Sequence, residues 1–429
     1  MPHFSILTVS PHSMVRHLSY FELLATMEED SSSWAPTLAG LGVLGLIDAA
    51  REDASVIDAD WTGVRAVAER VASIREGSPV RRPLTRIVDH LRGELDWPAV
   101  NGSLFAYGRA LDLDGSWSLA ADVFGTVADI ARAEHEPELA IEATTALGGA
   151  ARRSGDWDRS AEGYAVAAHL ADTLGDKASG LTVRVGTANT QIARGNLPAA
   201  QMILDEVIDQ AGKSGLDGVE ALAYHASAAV AHLKGRFADT VSMAYKALEK
   251  TTNPVVKDTI MADIAAAFVE LGMRDSARDA HLVISMTSRY QWVRWQASIN
   301  LMELAAMDGM EEAFDGYARD LKNAALDPRL RSYFLLYYGQ GCLSFGRDEQ
   351  GRSSIAEAKE FATRNKIHQV AFDADKALAA AQAGERKART AMPANSWTDP
   401  IPSDVEHVAL ALSHLRDATL SSPPADNWM

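Results

Sequence analysis

Few residues of this sequence stand at the spacings that chemistry requires. His225 and His232 share one face of a helical segment, but seven residues of helix span about 10.5 Å, too far for two ligands of one metal ion. They are expected to line a surface. His135, Glu136, Pro137 and Glu138 supply ligand types without helical spacing, which reads as a solvated turn. Asp112, Asp114 and Gly115 match only part of a calcium loop, whose later ligands and closing glutamate are missing. Gly212-Lys213-Ser214 has the end of a phosphate-binding loop, yet Val207 stands where its first glycine is needed. Gly40, Gly42 and Gly45 spell G-x-G-x-x-G. Three serines precede them in place of a strand, and no β-α alternation follows. Close contact between helices is therefore expected there, not a dinucleotide site. No G-x-S-x-G elbow, H-E-x-x-H pair or paired catalytic carboxylates appear. The expectation is a protein that is not an enzyme, with no cofactor and no metal.

The elements that would position any binding surface are more regular. Gly115, Gly155, Gly195, Gly235, Gly272, Gly309 and Gly346 each end an apolar helical segment, and the next segment opens within two residues. The intervals are 40, 40, 40, 37, 37 and 37 residues, a fixed period of the kind that marks a solenoid. After Gly115 come Trp117, Ala120, Ala121, Phe124, Val127, Ala128 and Ala131; after Gly155, Trp157, Ser160, Ala161, Tyr164, Ala167, Ala168 and Ala171 take the same offsets. These spacings put all seven on one helix face. The half before each glycine is helical as well, as Ala143, Ala146, Leu147 and Ala150 show. Each period therefore reads as a helical hairpin closed by a glycine able to take a left-handed backbone. Trp117, Trp157 and Phe237 are expected to fill gaps between layers.

With the turn glycines aligned, the chain from about 98 to 366 resembles the tetratricopeptide repeat (TPR) family. The family's close-packing small residue, seven positions before the turn, is matched by Gly108, Gly148, Gly339, Ala188, Ala228 and Ala265. Its small, aromatic, small triplet is matched by Ala120, Phe124, Val127 and by Ser160, Tyr164, Ala167. Departures are Arg274 for the aromatic, Phe314 and Gly351 for the small residue, helix-ending prolines only at Pro254 and Pro328, and a period above the usual 34. The resemblance implies an all-α fold, a right-handed α-solenoid of antiparallel hairpins. It implies a concave face lined by the first helix of each hairpin, with Arg109, Arg152, Thr182, Val185, Asn189, His225, His232, Glu303, Tyr333, Leu336 and Gln340 as partner-binding candidates. Of a terminal-carboxylate clamp only Asn189 is present.

The organisation expected is an N-terminal helical cap over 1–97, an array of seven hairpins with a capping helix over 98–384, and a linker, one amphipathic helix and a tail over 385–429. Gly77 lies 38 residues before Gly115 and suggests a degenerate eighth hairpin over 61–95. The 404–420 helix carries Val405, Val408, Ala409, Ala411, Leu412 and Leu415, a stripe that must bury against this chain or another. The net charge of −17 over 429 residues argues against a nucleic-acid groove, leaving Arg75, Arg81, Arg82, Arg86 and Arg92, and Arg386, Lys387 and Arg389, as local basic clusters. The lone Cys342 allows no internal disulfide, and neither a signal peptide nor a membrane span is expected. The function expected is a cytoplasmic scaffold that binds a peptide or helix of a partner protein. A ligand- or peptide-sensing regulator, with a transcriptional role as one form, is the alternative.

Overall fold

The structure is a computed structural model and describes residues 16–28, 31, 33–53, 61–92, 95–324, 326–365, 367–382 and 400–421. Residues 1–15, most of the expected linker and tail, and the Arg386, Lys387, Arg389 cluster lie outside them. Among the described residues the secondary structure is helical, without strands. The helices are α1 (Leu18–Thr26), α2 (Trp34–Glu52), α3 (Trp61–Ser73), α4 (Arg81–Arg92), α5 (Trp97–Leu113), α6 (Trp117–Ala133), α7 (Pro137–Ser154), α8 (Trp157–Leu174), α9 (Lys177–Ala193), α10 (Leu197–Lys213), α11 (Asp217–Leu233), α12 (Phe237–Lys250), α13 (Pro254–Glu270), α14 (Arg274–Thr287), α15 (Gln291–Met307), α16 (Glu311–Lys322), α17 (Pro328–Ser344), α18 (Asp348–Arg364), α19 (His368–Gln382) and α20 (Ser403–Ser421). None is long and apolar enough to cross a membrane.

The chain forms two compact units, Met1–Ile203 and Leu204–Met429. Within each, most consecutive helices pack on one another. All seven turn glycines adopt positive φ, between +70° and +83°, and Gly77, between α3 and α4, does so too at +88°. Gly175, Gly215 and His135 join them at +67°, +64° and +60°. From 115 to 235 a left-handed residue therefore recurs every 20 positions, so the 40-residue period is two nearly equal helix-plus-corner steps. At each of these corners the amide just past the left-handed residue donates to the carbonyl five residues back, as Asp156 does to Ala151 at 2.9 Å. That bond satisfies a helix-end carbonyl and closes the helix.

The shorter period has a local cause. α6, α8 and α10 have 17, 18 and 17 residues, whereas α12, α14 and α16 have 14, 14 and 12. After α12 and α14 the chain leaves through extended residues, Thr251 (ψ 137°) and Ser288 (ψ 135°), in place of a left-handed corner.

The core contact between paired helices sets a small residue against a large one sixteen positions on. A Cβ at Gly108 would stand 2.7 Å from the Phe124 ring, one at Gly148 2.9 Å from Tyr164, and one at Gly339 2.6 Å from Ile355. Ala188, Ala228 and Ala265 are buried at the same offset. Tyr164 also covers Gly186 on α9, where a Cβ would lie 2.4 Å from its ring. Trp117 and Trp157 do not fill gaps between layers: each is 37% exposed, because it opens its helix at the corner, where one side faces solvent. Phe237 is half-buried against a core cluster. The G-x-G-x-x-G run lies inside α2, and two of its glycines are close contacts. A Cβ at Gly40 would stand 2.0 Å from the Tyr107 hydroxyl and one at Gly42 3.0 Å from Val67, while Gly45 faces open space.

The first and last of the described helices cover second helices of pairs. In the first unit α1 packs on α6, and in the second α20 packs on α12 and α14, so Val405, Val408 and Leu412 of the 404–420 stripe bury against their own chain while Leu415 stays 43% exposed. Repeat positions register the cover. Ala121 and Ala128 beneath α1 are each 1% exposed, whereas their equivalents on α8, Ala161 and Ala168, are exposed and half-buried.

Candidate interaction surface

The odd-numbered helices from α5 onward keep one face open to solvent, and most candidate residues stand on it. In the first unit, Arg109 on α5 is exposed and its Nη2 donates to Glu142 Oε1 of α7 at 2.8 Å. Its guanidinium lies 5.0 Å from the Phe105 ring centroid. Glu138, Glu142, Thr145 and Arg152 follow one another along α7 at spacings of 4, 3 and 7. Arg152 is half-buried beside Tyr164; burial raises the pKa of that hydroxyl, and Arg152 draws it partly back. Thr182 and Asn189 are half-buried on α9, with the Thr182 hydroxyl tied to the Ala178 carbonyl at 2.9 Å. Val185 is a correction: at 4% exposure it lies in the core with Leu181 and Ala188, since the inward stripe of α9 returns at 181, 185 and 188.

In the second unit the face is of a different kind. His225 Nε2 lies 2.7 Å from Asp263 Oδ2, joining α11 to α13. His232 sits half-buried with its ring centroid 5.3 Å from that of Phe237. On α15, Gln296 donates to Asn300 at 3.2 Å, and Glu303 lies half-buried one turn further on. On α17, Tyr333 and Tyr337 form a tilted ring pair at 5.8 Å, with Gln340 half-buried beside them. Leu336 is the second correction, 1% exposed within the core cluster of α17; Tyr337, the next residue, takes the open position. No group of three or more His, Cys, Asp or Glu able to hold a metal ion occurs among the described residues.

Three features escaped the sequence reading. Asp263 stands 38 residues after His225, one more than the local period of 37, so the pair joins neighbouring offsets of successive hairpins. His281 occupies the offset held by Phe124, Tyr164, Leu204 and Ile355 in other pairs. It is buried, which lowers its pKa to about 4, and Asn300 lies 3.4 Å from its Nε2. Finally, a cleft of about 1230 Å³ runs between α1, α6 and α8. Its buried Asp122 accepts from Arg159 Nη1 at 2.7 Å and from the Ser19 amide at 3.2 Å. Burial raises the Asp122 pKa and the Arg159 guanidinium offsets part of that rise. Arg16 and Arg132 both reach Asp129, at 3.7 and 2.5 Å. Nothing in the sequence foretold this cleft, because it exists only where α1 crosses the first pair.

Of the basic residues on and beside α4, Arg75, Arg82, Arg86 and Arg92 are exposed and Arg81 is half-buried. No protein-family model matches the chain, and no curated protein matches it in sequence.

Proposed function

We propose that this chain is a non-catalytic interaction scaffold built of long TPR-like hairpins, and that the open face of its odd-numbered helices binds a peptide or helix from a partner protein. The observation that carries the reading is the asymmetry of cover. The first and last described helices occupy second-helix surfaces in their units, whereas α11, α13, α15 and α17 pack chiefly on chain neighbours and keep half-buried polar and aromatic side chains outward. Side chains such as Tyr333, Tyr337 and Gln340 suit recognition, since an aromatic ring offers large contact area at low entropic cost and amide groups can bond an extended or helical backbone. The TPR-like reading is supported by the ten glycine corners and by the small-against-large contact of Gly108, Gly148 and Gly339.

The test is a peptide-display selection against the full chain. Selected peptides should lose about tenfold in affinity on the double variant Tyr333→Ala, Gln340→Ala, the loss expected for an aromatic anchor. They should bind the control Glu357→Ala, on the exposed side of α18, unchanged. Selection of no peptide, or equal binding to all three chains, would dismiss the proposal.

A further inference from the structure

The arginines around the corner between α3 and α4 break the pattern that the other cations of this chain follow. Residues 70–92 hold six arginines against two carboxylates, Glu76 and Asp89, in a chain whose net charge is −17. Elsewhere an arginine is commonly held by a carboxylate of another helix, as Arg109 is by Glu142, Arg159 by Asp122 and Arg347 by Asp315. Among the described residues no carboxylate forms an ion pair with Arg75, Arg81, Arg82 or Arg86.

Local physics makes these positions unfavourable. Arg81 and Arg82 open α4, where unpaired amides give a helix its positive end, and the first turn holds no acidic residue to offset them. Arg82 and Arg86 stand four apart on the exposed side of α4, a like-charge pair that destabilises a helix. The support beneath is firm: Leu84, Ile87, Val88 and Leu91 are each at most 2% exposed, and α4 packs on α2, α3 and α5. Packing is thus carried by the apolar side of α4, not by the exposed arginines. A cluster that opposes the helix dipole, repels itself and has no carboxylate of its own finds its complement outside the chain.

The patch also restricts what that complement is. Arg82 and Arg86 lie about 6 Å apart along the helix, with Arg75 just before the Gly77 corner, so the positive surface is short. A duplex repeats its charge every ~1.7 Å and would run past so small a patch onto the acidic remainder of the chain. Binding at a bilayer surface couples cations with buried apolar side chains, and no large apolar side chain is exposed among the described residues of 62–92. A run of carboxylates in a peptide can end where the patch ends, and arginine forks take carboxylates in bidentate fashion. We infer that the α3–α4 corner docks a short acidic segment of a partner protein, a run of Asp or Glu seated on Arg75, Arg82 and Arg86. α4 stands outside the odd-numbered helices from α5 onward, so this site is separate from the open face and holds whether or not that face binds a peptide.

The experiment is fluorescence anisotropy of a labelled peptide of about eight residues, mostly glutamate, with the full chain in low salt and its glutamine counterpart alongside. The acidic peptide should bind and the glutamine peptide should not. Raising the salt to about 0.3 M should weaken binding about tenfold, since the contact is exposed to screening. The double variant Arg82→Glu, Arg86→Glu should lose at least about tenfold in affinity. Lys213→Glu, Arg364→Glu, an equal change in net charge at exposed sites on α10 and α18, should bind as the parent does. Arg82→Glu alone should leave the melting temperature unchanged or raised, because it sets an acid at the positive end of α4; a fall would assign the arginine to the fold and overturn the inference. Equal losses in the two double variants would overturn it too, as would no binding of the acidic peptide in low salt. So would tighter binding of a single-stranded oligonucleotide, or of phosphatidylserine vesicles, than of that peptide. If the double charge reversal loses helical circular dichroism, Arg82→Gln, Arg86→Gln takes its place with the same expected loss.

Discussion

The segment from Gly115 to Gly235 and the segment from Gly235 to Gly346 fold from the same repeat and diverge in how they leave the second helix of each pair. In the first, left-handed residues close every helix, the second helices run 17 or 18 residues, and the central buried position is large: Phe124, Tyr164 and Leu204. In the second, the even-numbered helices α12, α14 and α16 are shorter, extended corners follow α12 and α14, and the same position holds Ala244, His281 and Ala318. The difference teaches that the glycine within each pair is the invariant part of the design, while the exit from the second helix sets the period. It also shows where extra cover went, since α20 lies on α12 and α14, two of the short helices.

The largest expected effect tests the first segment. Tyr164→Ala should lower stability by about 3 to 5 kcal/mol, the range for truncating a buried aromatic, because that ring covers both Gly148 and Gly186. Ala318→Gly, at the same offset in the second segment, should cost only about 1 kcal/mol. Denaturant midpoints that shift equally would mean the two segments do not differ at this position.

Next in size is a pH effect confined to the second segment. His281 has its pKa lowered from 6.5 to about 4 by burial. The unfolded chain takes up a proton as pH falls through 6.5, and the folded chain does so only near 4. Stability is thus complete above pH 6.5 and falls between pH 6.5 and 4, by about 3 kcal/mol for this group. In His281→Gln the loss over that window should shrink; urea titrations of both proteins at pH 7 and pH 4.5 measure it, and parallel curves would refute the assignment.

The smallest effects concern the corners. His135→Gly should stabilise by about 0.5 kcal/mol, as it relieves a left-handed residue that carries a Cβ. Gly175→Ala should cost about 1 kcal/mol. Ser288→Gly should destabilise by about 1 to 3 kcal/mol, because the Ser288 hydroxyl donates to buried Asp258 at 2.7 Å. Melting temperatures of the three variants, read together, would show whether glycine helps only where φ is positive.

The even spacing of seven glycines revealed the corners, and the alternation of apolar faces revealed the helices, including α20 to within a residue at each end. Position on the open face was less legible. Ten glycines and one histidine share a backbone angle, but the repeat register put Val185 and Leu336 on the same face as Asn189 and Gln340, and the stripe of each helix turns the two apolar residues inward. That is decided by which neighbours pack on it, a property no single repeat contains.

Local rules therefore determined what each stretch of chain becomes: helix period, corner glycine and the side-chain volumes at the pair contact all act within 40 residues, so the sequence carries them openly. Tertiary structure alone decided the cover. That α1 buries Asp122 while its repeat equivalent Glu162 stays exposed, that α20 brings Arg416 to Asp279 across 137 residues, and that His225 meets Asp263 one pair away all depend on burial between distant segments. The free energy of such burial is set by area removed from water and charges brought together, and a linear pattern does not record which surfaces meet.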